Sequence, residues 1–164
     1  MNDLVNRNSI VPLSIELLFN NEKLDLMKFL YLLHAFSLKS NRRIKVSEVL
    51  FYYSLVNFNL RIFIEDNQEN KRSIEQPSIN QYFRFQSKIQ KILLDISHLQ
   101  FAEFKGELSK KLDEITLKIT PEGTAICEEI NSPFFEDLKI SYLEVIGTIK
   151  FTASNQKLIT EGDK

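Results

Sequence analysis

A mainly α-helical fold carrying one small β-hairpin is predicted by three features of this chain. The first is Ile115-Thr116-Leu117-Lys118-Ile119, which alternates in period two and reads as a strand; Phe101-Ala102-Glu103-Phe104 reads as its partner, and the Lys-rich stretch Lys105–Asp113 as the tip between them. The second is the switch at Thr120-Pro121-Glu122-Gly123. Thr120 suits an N-cap, Pro121 the first helical position, and Glu122 the positive end of a helix dipole, so Thr124–Ile130 should be helical. The third is a set of long segments with helical apolar spacing before and after this unit. A helix, a hairpin and a sharp strand-to-helix switch make the layout of a winged-helix-like α+β domain with an N-terminal arm and a C-terminal helix.

The remaining elements follow in order. Residues 1–12 are polar, end at Pro12 and read as a flexible arm. A short helix is expected over Leu13–Phe19. Asn20 or Asn21 then caps a longer one over Glu22–Leu38, and a polar turn covers Lys39–Lys45. Val46–Leu60 is apolar almost all round, with Leu50, Tyr53 and Phe58 among its large side chains. Such a helix is covered on every side, either by its own chain or by another protein. Arg61–Ser78 is charged and irregular, and reads as a loop with a strand at Arg61–Ile64. Ile79–Ser97 regains helical period, with Phe85, Ile89, Ile92, Leu93 and Ile96 on one stripe. Pro133 opens a last helix that runs to Phe151 and carries Phe135, Leu138 and Tyr142. Residues 153–164 read as a polar tail, which leaves one domain over 13–152.

At 164 residues the chain is long enough to bury a core without disulfides or metal. The net charge of -1 argues against affinity for nucleic acid over the whole surface, while leaving room for a local basic patch. The single cysteine, Cys127, excludes an intrachain disulfide. The N-terminus lacks the charged start and apolar core of a signal peptide, and the apolar run Phe29–Phe36 is too short to span a bilayer. A soluble cytoplasmic protein is expected, with no membrane partner.

Catalytic chemistry finds no footing. His34 and His98 have no Cys, His or carboxylate at metal-ligand spacing. Cys127 lies between Ile126 and Ile130 with no evident base to form a thiolate. No Gly-rich loop could cradle phosphate. The pairs Glu65-Asp66 and Glu128-Glu129 are adjacent, so they face different ways. The expectation is a protein that is not an enzyme and takes no cofactor, metal or small-molecule substrate.

Surfaces are therefore the candidates. Arg42, Arg43 and Lys45 fall in a turn. Arg84, Lys88 and Lys91 share a helix face, next to Gln81, Gln86 and Gln90. Lys105, Lys110 and Lys111 occupy the hairpin tip. These cations are the candidate DNA contacts, through phosphate rather than base edges. The roughly eighteen residues before Ile79 exceed the three or four of a helix-turn-helix turn, which favours Ile79–Ser97 as a docking surface over a recognition helix. Leu50, Tyr53, Phe58, Phe135, Leu138 and Tyr142 are the candidate partner-binding residues.

Three stretches carry a resemblance: Ser9-Ile10-Val11-Pro12-Leu13-Ser14-Ile15-Glu16-Leu17-Leu18, Leu24-Asp25-Leu26-Met27-Lys28-Phe29-Leu30-Tyr31-Leu32-Leu33-His34, and Leu117-Lys118-Ile119-Thr120-Pro121-Glu122-Gly123. With the order of elements, the chain resembles the middle components of bacterial three-component systems built around an ABC-type ATPase of the structural-maintenance-of-chromosomes (SMC) kind, including the small subunits of Lamassu anti-phage systems. The resemblance implies a non-catalytic adaptor that bridges the ATPase and an effector, commonly a nuclease, in defence against phage or plasmid DNA, with double-stranded DNA as a further partner of the complex. It implies no active-site residue. The alternative is a dimeric winged-helix transcription regulator whose last helix, Pro133–Phe151, forms the dimer interface.

Overall fold

Residues 21–65 and 79–161 are described by a computed structural model. The expected arm at 1–12, the helix at 13–19 and most of the loop before Ile79 lie outside them. Two consecutive helices make the centre: α1 (Asn21–Lys39) and α2 (Val46–Asn57). Every residue from Phe29 to Phe36 and from Val46 to Leu55 is buried, so both helices are enclosed all round over those stretches. Glu22 in the first turn of α1 and Lys39 in its last both complement the helix dipole.

The segment expected as a plain polar turn contributes a short strand, β1 (Ile44–Lys45). It pairs antiparallel with β3 (Thr116–Ile119), which also pairs antiparallel with β2 (Ala102–Lys105), giving the order β1-β3-β2. Ile44, Leu117 and Phe104 lie in one row across the sheet and face the core. Lys45, Thr116 and Lys105 form the next row, on the opposite face. The hairpin tip leaves β2 through Gly106 at φ 116°, a conformation suited to glycine. A 3-10 turn at Leu112–Glu114 follows, and the Ile115 carbonyl accepts from the Val46 N–H at 2.8 Å. The tip thereby satisfies a first-turn donor of α2, whose own cap, Lys45, offers no side-chain acceptor.

After α2, Asn59 takes a left-handed φ of 54° and ends the helix, as asparagine does more readily than most residues. The strand expected at Arg61–Ile64 is instead a helical turn, α3 (Ile62–Glu65). Next, α4 (Ile79–His98) buries Tyr82, Phe85, Ile89, Ile92, Leu93 and Ile96, the expected stripe plus Tyr82. Its end is a Schellman motif: Phe101 N–H donates to the Ile96 carbonyl at 3.1 Å and Gln100 N–H to the Ser97 carbonyl at 3.0 Å, with Gln100 at φ 63°.

The strand-to-helix switch forms as its residues dictate. Thr120 caps α5 (Pro121–Glu129), its Oγ1 accepting from the Gly123 N–H at 3.1 Å, with Pro121 at the helix start. The same hydroxyl donates to the Gln100 carbonyl at 2.6 Å, and Thr120 N–H donates to the Phe101 carbonyl at 3.0 Å. The end of α4 and the start of α5 are thus one interlocked corner. Then α6 (Pro133–Thr148) packs on α1 and α2. Its Tyr142 hydroxyl donates to the Lys28 carbonyl at 3.0 Å and accepts from Asn57 Nδ2 at 2.9 Å, tying three helices together.

The expected polar tail is a helix, α7 (Ala153–Glu161). Thr152 Oγ1 accepts from the Asn155 N–H at 3.1 Å, and the fully buried Ile159 anchors the helix, which packs on α3 and α4. The domain therefore extends beyond residue 152. Its architecture is mainly α with a small three-stranded antiparallel sheet.

Candidate interaction surfaces

The predicted partner-binding residues are divided by the fold. Leu50, Tyr53, Leu138 and Tyr142 are buried within this chain. Tyr53 stacks on Phe85 with ring centroids 4.0 Å apart, and Phe58 meets both rings edge-on. The apolar girth of Val46–Leu55 is therefore covered within this chain, while Val56 and Phe58 stay partly exposed. The last helix, which the dimer reading assigned to a second copy, packs one face on α1 and α2 and leaves Phe134 and Ile140 exposed. Phe135 is half-buried, stacked on Tyr31 at 4.7 Å, and Phe134 beside it is 53% exposed.

The predicted cations are also drawn into internal contacts. Arg42 makes a two-pronged ion pair with Glu48, at 2.7 and 3.2 Å. Arg43 lies across the sheet, donating to Thr116 Oγ1 and to the Glu103 carbonyl, both at 3.2 Å. On α4, Lys91 pairs with Glu22 at 2.6 Å and Lys88 with Asp25 at 3.9 Å, so the basic face leans on the acidic first turns of α1. Arg84, Lys45, Lys105, Lys110 and Lys111 are exposed. At the tip, however, the three lysines alternate with Glu107, Asp113 and Glu114, which cancel their charge. Gln90, beside these cations on α4, donates to the Leu108 carbonyl at 2.8 Å and holds the tip against the helix.

Sequence reasoning missed two features. Lys118 shares the outer face of the sheet with Arg43, Lys45 and Lys105, and Glu103 is the only acid among those strand positions. The alternation of Ile115–Ile119 carried that signal, but only the register brings the four cations together. The second feature is a pair of exposed large hydrophobic side chains on the outer face of α4. Phe83 and Leu94 are 48% and 53% exposed. They stand eleven residues apart, about three turns, and so fall on one line along the helix. Ser87 and Gln90 lie between them, and Arg84, Lys88 and Lys91 flank them.

Concavities among the described residues border these surfaces. One, of about 520 Å³, lies between the end of α1, the sheet and α5, with Phe36, Ile44 and Leu117 at its floor and Arg42, Lys118 and Glu128 among its polar lining. Another, of about 380 Å³, lies at the start of α1 beside Phe134.

Among the described residues no group of three His, Cys, Asp or Glu could hold a metal, and no helix is long and apolar enough to cross a membrane. Cys127 is a core residue, and burial pushes its thiol up to about 12. His34 is buried with Nδ1 lacking a hydrogen-bond partner among the described residues; burial, aided by Lys139, holds its pKa below the ordinary value, while Glu128 and Glu136 oppose the shift. The chain matches no known family model, no curated protein and no solved structure.

Proposed function

We propose that this chain is a non-catalytic winged-helix adaptor that docks a larger protein through the outer face of α4. The observation that carries the reading is the Phe83–Leu94 pair with its basic flank. Lys88 and Lys91 are each more than half exposed but are partly neutralised by Asp25 and Glu22, and Phe83 and Leu94 stand exposed on the line beside them. That combination suits an apolar groove with an acidic rim on a protein partner. The winged-helix assignment draws on the helix-strand-helix order before β2 and β3, and on the strand order β1-β3-β2. By the resemblance given above, the partners are an SMC/ABC-type ATPase and an effector nuclease in a defence complex.

A second reading, a winged-helix DNA-binding regulator, draws on Arg43, Lys45, Lys105 and Lys118 on the sheet. The separating experiment is affinity purification of the tagged chain expressed with its native neighbouring genes, read by mass spectrometry. Recovery of a coiled-coil ATPase supports the adaptor. Recovery of the chain alone, with salt-sensitive DNA binding that Lys45→Glu and Lys105→Glu abolish, overturns it in favour of the regulator.

A further inference from the structure

β1 ends while β3 still has backbone to offer. Val46 N–H donates to the Ile115 carbonyl on the β1 side, and Thr120 N–H to the Phe101 carbonyl on the β2 side. Along an antiparallel strand the N–H and C=O of one residue point the same way, and the direction alternates from residue to residue. Leu117 and Ile119 therefore turn toward β1, and Thr116 and Lys118 toward β2. Leu117 pairs with Ile44, but Arg42, which would face Ile119 in the same register, lies at a bend and leaves the ladder. Among the described residues the Ile119 N–H and C=O have no hydrogen-bond partner. Ile119 and Arg42 both line the cleft of about 520 Å³ beside α5, so this unpaired edge opens into it.

The edge and its surroundings define the ligand. A donor beside an acceptor is matched by one residue of an extended chain, which exchanges both bonds. The side chain of a residue set opposite Ile119 falls on the face of Ile44 and Leu117, toward Leu33, Phe36 and Ala125, and is therefore apolar. Arg43 still fills the next position, opposite Lys118, with its guanidinium held by Thr116 and the Glu103 carbonyl. A chain entering from solvent has to stop there, so the cleft takes a chain end. Charge selects which end. Lys118 lines the cleft and makes no ion pair among the described residues, and the Arg42 side chain is 54% exposed beyond its pair with Glu48. A carboxylate gains from both cations, whereas an ammonium is repelled. Glu128, the acid of the lining, is about 10 Å along α5 from Pro121, away from that point. The volume is in the range that holds a drug-sized ligand, more than a single residue fills.

We propose that this cleft binds the C-terminus of another polypeptide, one that ends in an apolar residue. The last N–H of that polypeptide donates to the Ile119 carbonyl. Its carboxylate accepts from the Ile119 N–H and lies beside Lys118, and its last side chain seats on Phe36. The site is separate from the α4 surface and independent of it.

The test titrates the isotope-labelled full chain, followed by amide NMR, with N-acetylated Ser-Gly-Ser-Gly-Leu bearing a free carboxylate. The controls are the same peptide with an amidated end, the same peptide ending in Ser, and N-acetyl-leucine. Saturable shifts of the Ile119, Thr120 and Ala125 amides are expected in the millimolar range, with each control at least about tenfold weaker. Lys118→Gln should weaken the free acid and leave the amidated peptide unchanged. Ala125→Leu fills the cleft from an exposed position, so it should abolish binding and keep the wild-type circular dichroism. Equal affinity for acid and amide, or shifts confined to residues outside the cleft, overturns the proposal. N-acetyl-leucine binding as tightly as the peptide assigns the cleft to a small carboxylate and overturns the polypeptide occupant. No saturable shift with any probe overturns the site altogether.

Discussion

Gly123 lies against the carbonyl of Phe101 so closely that a methyl group on its Cα would drive into that oxygen and come within 2.9 Å of Ile119 Cγ1. The cause is the interlocked corner, in which Thr120 reaches back to the last two residues of the α4 cap. The glycine of Thr-Pro-Glu-Gly is thus required by a close approach of backbones, since its place inside a helix would otherwise favour alanine.

Gly123→Ala should accordingly destabilise the domain by about 1–3 kcal/mol, the usual range for overpacking against atoms that cannot yield. Gly147→Ala is the control. It is also helical, but its added methyl would meet only the flexible Lys39 Nζ at 3.6 Å. It should stabilise by about 0.5–1 kcal/mol. Urea unfolding of both variants checks the pair, and equal effects would contradict the corner geometry.

Gln100→Gly should stabilise. Gln100 holds φ 63° in the Schellman motif, and a side chain in that conformation costs roughly 1–2 kcal/mol. Glycine avoids the cost but adds unfolded-chain entropy, so the net gain should be a few tenths to about 1 kcal/mol. The bond from Thr120 goes to the Gln100 carbonyl and survives the change. A loss of stability by thermal or urea unfolding would show that the Gln100 side chain matters in its own right.

His34 sets a pH dependence. Its folded pKa lies below its unfolded one because it is buried on α1, with Lys139 of α6 nearby and only partial compensation from Glu128 of α5 and Glu136 of α6. The unfolded chain therefore binds a proton first as pH falls. The stabilisation from a neutral His34 is complete above the unfolded value of about 6.5 and declines as pH drops toward the folded value. Stability should fall as pH drops below about 7, and His34→Gln should flatten that slope. Asp25, raised by burial against the pull of Lys88 and Lys28, acts in the opposite sense as it takes up its proton. An unchanged slope in His34→Gln would assign the dependence to other groups.

What could be read from the chain was local. Thr120, Pro121 and Gly123 act within four residues, so cap, first turn and hairpin were legible. The apolar girth of Val46–Leu60 was legible too, but its meaning was not, because core and interface make the same demand on composition. Only the positions of Phe85 and Tyr142 decide it. The final helix was missed because residues 153–164 carry few apolar side chains and one of them, Ile159, does most of the anchoring. The Thr152 cap was a usable sign that went unread. On α4 the basic residues drew attention through charge, whereas their pairing with Glu22 and Asp25, some seventy residues away, depends on how α1 crosses α4.

The most direct test of the adaptor reading is the affinity of whichever ATPase affinity purification recovers, measured for the wild-type chain and for Phe83→Asp/Leu94→Asp. Both positions are exposed, so the fold should survive by circular dichroism. If Phe83 and Leu94 anchor the docking surface, losing the half of each side chain still open to cover, about 0.7–1.5 kcal/mol apiece, should weaken binding by at least about tenfold. Binding that is unchanged in a folded double variant would contradict the assignment of this surface.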